Sequence, residues 1–168
     1  MKKLLLPFIF SMILIPAKAQ YPLESGRLQL NIGTGWTNQG IPVSIGADLG
    51  IAENLSFGLD GSYRYFNENF GNTMYKHNII TCLGALDYHF NSMFKTRNST
   101  SSDIYGGFSG GYAMAQSPDL YGGQVETGAL FGVHFGYRMF FNEKFGLDLQ
   151  FAGMTTYLGV KVGLTILL

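Results

Sequence analysis

Apolar and polar residues alternate one for one through eight successive stretches of this chain. In the last, Leu158, Val160, Val162, Leu164, Ile166 and Leu168 fall on one side, and Gly159, Lys161, Gly163 and Thr165 on the other. Successive strand residues point to opposite faces, so a period of two marks strands between an apolar and a polar environment. The spacing predicts strands over 27–36, 41–51, 54–65, 77–90, 103–114, 126–140, 144–153 and 158–168. Most exceed the about 9–11 residues that a tilted strand needs to cross a bilayer, whereas soluble strands usually have about 5–6. Short connections are expected at 37–40, 52–54, 141–143 and 154–157, and longer polar ones at 66–76, 91–102 and 115–125. No stretch has a helical period. The pattern predicts an all-β protein: an eight-stranded antiparallel up-and-down transmembrane β-barrel.

The two faces differ in bulk. One carries residues such as Leu28, Leu30, Ile32, Ile45, Phe57, Phe131, Phe135 and Phe151. The other is small and polar, with Gly33, Gly35, Ser44, Gly46, Gly58, Gly107, Ser109, Gly132, Gly136 and Gly163. Exposed glycine weakens a strand, so small residues suit a crowded interior better than a wet surface. Eight strands enclose a space only just wide enough for side chains. The bulky face is therefore expected outside, in lipid, as in outer-membrane barrels. Aromatics gather near strand ends as two expected girdles: Trp36, Tyr63, Tyr65, Tyr112 and Tyr157 at one interface, Tyr88, Phe90, Tyr137, Phe140, Phe141 and Phe145 at the other.

Composition narrows the class. Lys2 and Lys3, the apolar run Leu4–Ile15 and Ala17-Lys18-Ala19 have the three parts of a cleaved secretory signal. The expected division is a signal peptide over 1–19 and one barrel domain over 20–168. The chain has 11 basic and 11 acidic residues. The leader holds three of the lysines and no acid, so the mature charge is −3. That charge argues against nucleic acid, which wants a basic stripe. Charged residues make up only 13% of the chain and aromatics 15%; soluble surfaces carry about 25–35% charge. Cys82 is the only cysteine, which excludes an intramolecular disulfide; its parity places it on the lipid face.

In architecture the chain resembles the small outer-membrane barrels, the OmpA/OmpX-type membrane domains, and above all those of Bacteroidota-type bacteria. The likeness lies in Gly132-Val133-His134-Phe135-Gly136-Tyr137-Arg138-Met139-Phe140-Phe141, in Asn142-Glu143-Lys144-Phe145-Gly146-Leu147, and in Leu158-Gly159-Val160-Lys161-Val162-Gly163-Leu164. The resemblance implies a Gram-negative outer membrane, contact with its lipid and lipopolysaccharide, help from periplasmic chaperones and the barrel-assembly machinery, and a monomer. It specifies a fold rather than an activity. Such chains usually end in an aromatic residue; this one ends Ile166-Leu167-Leu168.

Charges of inward parity are the sharpest chemical feature: Asp48, Asp60, Arg64, Asp87, His134, Arg138, Asp148 and Lys161. Buried charges must pair or neutralise, so a lumenal ion-pair network is expected, either plugging the barrel or gating an ion path. Aspartates outnumber fixed cations there, which points to a charged His89 or His134, or to a protonated aspartate. No Cys/His/Asp cluster has ligand spacing, so no metal or other cofactor is expected. Gly33-Thr34-Gly35 lacks the following helix of a dinucleotide site. A lipid-modifying barrel enzyme needs a serine, a histidine and an acid within reach. His134 has no serine two residues on, and His77 lies beside a predicted loop whose hydroxyl is Thr73, so no enzyme is expected. Phe66, Phe70, Tyr75, Leu120 and Tyr121 in the long loops are candidates for contact with a partner or with lipopolysaccharide. The expected role is structural or surface-interacting. The alternatives are a narrow pore, a lipid-modifying enzyme and a soluble lipid-binding barrel.

Overall fold

The computed structural model describes residues 23–71, 73–90, 102–119, 121–123, 125 and 127–168. Eight antiparallel strands form one closed barrel in chain order. They are β1 (Leu28–Thr37), β2 (Ile41–Ala52), β3 (Leu55–Phe70), β4 (Thr73–His89), β5 (Ser102–Gln116), β6 (Gly128–Phe140), β7 (Phe145–Met154) and β8 (Leu158–Leu167). Closure comes from β1 against β8, in register from Gln29–Leu167 through Gly33–Gly163 to Thr37–Gly159. Every strand thus has two neighbours, which removes the free edges an open sheet would expose. The signal segment, most of the 91–102 connection and Leu120 lie outside the described residues.

The side-chain alternation is resolved as the bulk argument requires. Ile45, Phe108, Trp36 and Leu158 point outward and are 67%, 72%, 70% and 71% exposed. Cys82 is also on this outer face. Glycines and hydroxyl residues point inward and leave room for a few large groups. Gly136 is the clearest case: a Cβ there would run into the ring of Tyr105.

One predicted loop is strand instead. The 66–76 connection was expected to be irregular because it is rich in asparagine. In the structure β3 continues to Phe70 and β4 starts at Thr73, paired through Asn67–Lys76 and Phe70–Thr73. Alternation never stops there. Phe66, Glu68 and Phe70 share one face with Tyr75 and His77, and aromatic residues suit a pleated surface. The turn itself is at Gly71, whose φ of 64° is the left-handed conformation that glycine adopts freely. On the next strand, β5 runs on to Gln116. The wall is therefore uneven: β3–β5 have 16, 17 and 15 residues against 10 each in β7 and β8. The tall side stands at the end opposite the termini, here called the rim.

Two apolar clusters lie inside. Leu23, Phe140 and Leu167 close the terminal end, so Phe140, expected in the girdle, points inward instead. Ile79, Ala113, Leu130 and Met154 line the upper lumen, with Phe66, Leu83 and Tyr157 packed on them.

Candidate functional site

Arg138 organises the terminal half of the lumen. β6 turns its odd residues outward and aims Arg138 across the barrel, where it is 3% exposed. Its guanidinium meets Asp48 on β2 at 2.8 Å, Asp148 on β7 at 3.2 Å and Asp103 on β5 at 3.6 Å. It also lies 3.9 Å from the ring centre of Tyr105, whose hydroxyl donates to Asp148 at 2.8 Å. Asn31 and Gln29 donate to Asp48, and Thr165 donates to Asn31. These groups join six strands, β1, β2, β5, β6, β7 and β8, through side chains.

Two histidines extend this cluster. His89 sits between Ser56, 3.0 Å from Nε2, and Asp103, 2.9 Å from Nδ1. His134 sits between Ser109, 2.8 Å from Nδ1, and Asp87 at Nε2. Above them Lys161 reaches Asp60 at 3.2 Å. A small cavity of about 90 Å³ lies among Asp60, Asp87, Ser109, His134 and Lys161.

Of the eight charges predicted to share the lumen, Arg64 lines the same cavity as Asp60, Asp87 and Lys161 but stands highest. It is near the rim, its guanidinium stacked 4.7 Å from the centre of the Tyr157 ring and donating to Gln39 at 2.9 Å. Tyr157 is accordingly not a girdle residue. Leu158 begins β8 facing outward, so the preceding residue turns inward and packs on the upper apolar cluster. Burial holds the Tyr157 hydroxyl above the usual tyrosine range, partly offset by Arg64. Trp36, Tyr63, Tyr65, Tyr88, Tyr112, Tyr137 and Phe145 do face outward. Phe90 lies just past β4 and stacks edge-on against Tyr88 at 5.1 Å.

The loop-contact candidates meet one another. Phe70, Tyr75 and His77 line the inner face of the tall β3–β4 hairpin. Tyr121 folds back onto all three, with ring centres 5.5, 5.1 and 4.6 Å away. Phe66 stacks on His77 at 5.9 Å. The Tyr121 hydroxyl donates to Glu68 at 2.6 Å, and that bond raises its ionisation above the ordinary tyrosine range. His77 is fully buried, and its hydroxyl neighbour is Ser117 rather than Thr73: Nδ1 lies 3.0 Å from Ser117 Oγ and Nε2 3.8 Å from Glu68.

Sequence reasoning passed over Asp103, Tyr105 and Ser117, and placed Ser56 on the small polar face without a role. The signal for the first three was present: the inward parity of Gly107, Ser109 and Gly111 runs down to Tyr105 and Asp103 and up to Ser117. Among the described residues no group of three or more His, Cys, Asp and Glu is placed to hold a metal ion.

No protein-family model matches the chain, and no curated protein matches it in sequence. Solved structures do match. The outer membrane protein OprG from Pseudomonas aeruginosa superposes with a TM-score of 0.69 at 8% identity, over 89% of this chain and 98% of that one. Neisserial surface protein A gives 0.59 at 14%, over 83% and 95%. The attachment invasion locus protein Ail of Yersinia pestis gives 0.51 at 11%, over 86% and 99%. Identities this low speak for fold alone, and the fold is that of the small bacterial outer-membrane β-barrels.

Proposed function

We propose that the protein is an integral outer-membrane β-barrel of a Gram-negative bacterium, exported by a cleaved signal peptide. Its lumen is plugged, and its role is envelope-structural or surface-interacting, exercised at the rim. The observation that carries this is the inversion of the barrel: aliphatic and aromatic side chains outside, an arginine clamped by carboxylates inside. Such an outer surface is stable in lipid and would aggregate in water. The Arg138 cluster supports a plug, since it fills the terminal half of the lumen with paired charges. Lipid and lipopolysaccharide would surround the outward ring that includes Trp36, Tyr63, Tyr65 and Tyr112. The overtopping β3–β4 hairpin, with Phe70 and Tyr75 held by Tyr121 and Phe66 stacked on His77, would present a rigid surface above the membrane. Phe66, Phe70, Tyr75 and Tyr121 then shape that surface from within.

Membrane fractionation with gel mobility before and after boiling tests the proposal. The expected result is an outer-membrane protein with a fast, SDS-resistant band that slows on heating. A soluble protein with no mobility shift refutes it. Planar-bilayer recording tests the plug separately: steady single-channel conductance by the folded wild-type chain would overturn it.

A further inference from the structure

Three serine–histidine–carboxylate strings occur in this barrel: Ser56–His89–Asp103, Ser109–His134–Asp87 and Ser117–His77–Glu68. Access separates them. Ser56 is fully buried, and Ser109 faces a small lumenal cavity of about 90 Å³ among Asp60, Asp87 and Lys161, charges that do not suit an acyl chain. Ser117 alone of the three is exposed. We propose that Ser117, His77 and Glu68 form a hydrolytic site at the rim that cleaves carboxylic esters carrying an acyl chain.

The strands build this arrangement. Asn78 pairs with Gln116, so one step further puts His77 and Ser117 side by side on the inner face. Phe66 pairs with His77, which places Glu68 diagonally across from it on the same face. His77 presents Nδ1 to the hydroxyl and Nε2 to the carboxylate. Nε2 is buried without a hydrogen-bond partner, the Glu68 oxygen standing at 3.8 Å. Base-to-acid contacts of this kind are often long before substrate arrives. The usual serine-hydrolase arrangement uses the opposite nitrogens, but a triad is defined by roles, and either ring nitrogen can take the proton.

The surroundings suit an acyl ester. Beside Ser117, Pro118 and Asp119 border an open cleft of about 480 Å³ with Thr73, Met74, Tyr75 and Lys76. Directly below, Ile79 and Ala115 continue the two strands into the closed apolar cluster of Ala113, Leu130 and Met154, so a hydrocarbon tail would lie along Met74, Tyr75 and Pro118 of the cleft. In the reaction Ser117 Oγ adds to the ester carbonyl carbon as its proton passes to His77. Collapse breaks the carbon–oxygen bond to the alcohol, which leaves with that proton. Water then adds to the acyl-serine and gives a proton to His77. Ser117 leaves, recovers the proton and releases the carboxylic acid. Glu68 is a positioning residue that holds the imidazole and offsets its positive charge.

The site rests on the outer-membrane proposal only for the source of its ester. The test is run on the folded full-length mature chain in detergent micelles, with a fluorophosphonate probe and p-nitrophenyl butyrate and decanoate, and in vesicles of phospholipid with lipid A. Folding of each variant is checked by the heat-dependent mobility shift. The expected result is a covalent adduct mapped to Ser117, with turnover falling by at least about 10³-fold in Ser117→Ala and His77→Gln. Glu68→Gln should lower kcat with KM unchanged, and Glu68→Asp should restore part of it. Fatty acid released from vesicles makes membrane lipid the source; turnover of the micellar esters alone makes it a soluble ester. A folded wild-type chain with no adduct at Ser117, an adduct only at Ser56 or Ser109, or turnover equal to that of Ser117→Ala overturns the inference. A micellar activity in a chain that fails to reach the outer membrane would refute the localisation and leave the hydrolase standing; the reverse result would do the opposite.

Discussion

Replacing Arg138 by methionine keeps the bulk of the side chain and removes its charge, so it isolates what the lumenal clamp contributes. At an effective dielectric of about 20, contacts of 2.8, 3.2 and 3.6 Å to Asp48, Asp148 and Asp103 correspond to gross attractions of about 6, 5 and 5 kcal/mol. Most of this is offset by the cost of taking the charges out of water, which amounts to several kcal/mol for each ion. The variant recovers the arginine's share of that cost but leaves the carboxylates facing one another without their counter-ion. Breaking a buried pair on one side costs about 3–5 kcal/mol, and the lost stacking on Tyr105 adds about 1 kcal/mol. Arg138→Met should therefore destabilise the barrel by about 4–6 kcal/mol by these same terms. The assay is denaturant unfolding in detergent, followed by heat-dependent mobility and by the emission of Trp36, the only tryptophan. A triple variant with Asp48→Asn and Asp148→Asn should regain more than half of the loss, since neutral amides can be satisfied by Asn31, Gln29 and Tyr105. A loss below about 1 kcal/mol, the range of an exposed pair, would refute the reasoning. So would a triple variant no more stable than the single one.

Three further outcomes follow from the same geometry. Phe108→Arg, in the middle of the outward face of β5, should cost about 2–4 kcal/mol in bilayers by the same unfolding assay, and much less if that face meets water. Gly136→Ala should cost about 1–3 kcal/mol through overpacking against Tyr105; combined with Tyr105→Leu, it should cost no more than Tyr105→Leu alone, a coupling that a double-mutant cycle measures. The Tyr121–Glu68 contact needs a neutral phenol. It should persist throughout the ordinary tyrosine range and be lost only as pH rises past the raised ionisation of Tyr121. Absorbance at 295 nm, taken as the difference from Tyr121→Phe, should show Glu68→Gln lowering that ionisation toward the ordinary value.

Strand number, order and facing were legible because a period of two is a local property. Leu158 through Leu168 reveal which way each residue points without reference to any other strand. Partners across the lumen are not local. Arg138 and Asp48 lie on β6 and β2 and meet only because β1 closes on β8, so parity could nominate both but could not pair them. Asp103 was overlooked because it opens its strand beside a Ser- and Thr-rich connection. The 66–76 segment misled for a compositional reason: asparagines suggested a turn while alternation said strand, and alternation won because the paired backbone of two neighbouring strands outweighs weak residue preferences. Ser117 was missed for a related reason. It was sought near histidine in sequence, whereas the register between β4 and β5 delivers it from 40 residues away.

The uneven wall explains why stability and reactivity sit at opposite ends. At the terminal end all eight strands are present, and charges buried there find several partners each: Arg138 has three carboxylates, and Asp48 has Arg138, Asn31 and Gln29. At the rim only β3, β4 and β5 continue, so their inner face loses the opposing wall that would supply partners. A polar group there is left without a hydrogen bond, as His77 Nε2 is, with Glu68 as its one carboxylate neighbour, whereas Arg138 Nη1, also without one, sits on a guanidinium held by three carboxylates. A group short of a partner yet fixed by paired strands is the condition for chemistry, because rigid elements hold it in place while a substrate can still complete its contacts. If this is right, shortening the β3–β4 hairpin by deleting 67–76 should leave the heat-resistant barrel intact while abolishing the Ser117 adduct, since the ion-pair plug lies entirely below the cut. A deletion that also abolishes the heat-resistant form would show that the two ends are one cooperative unit and that the rim contributes to the fold.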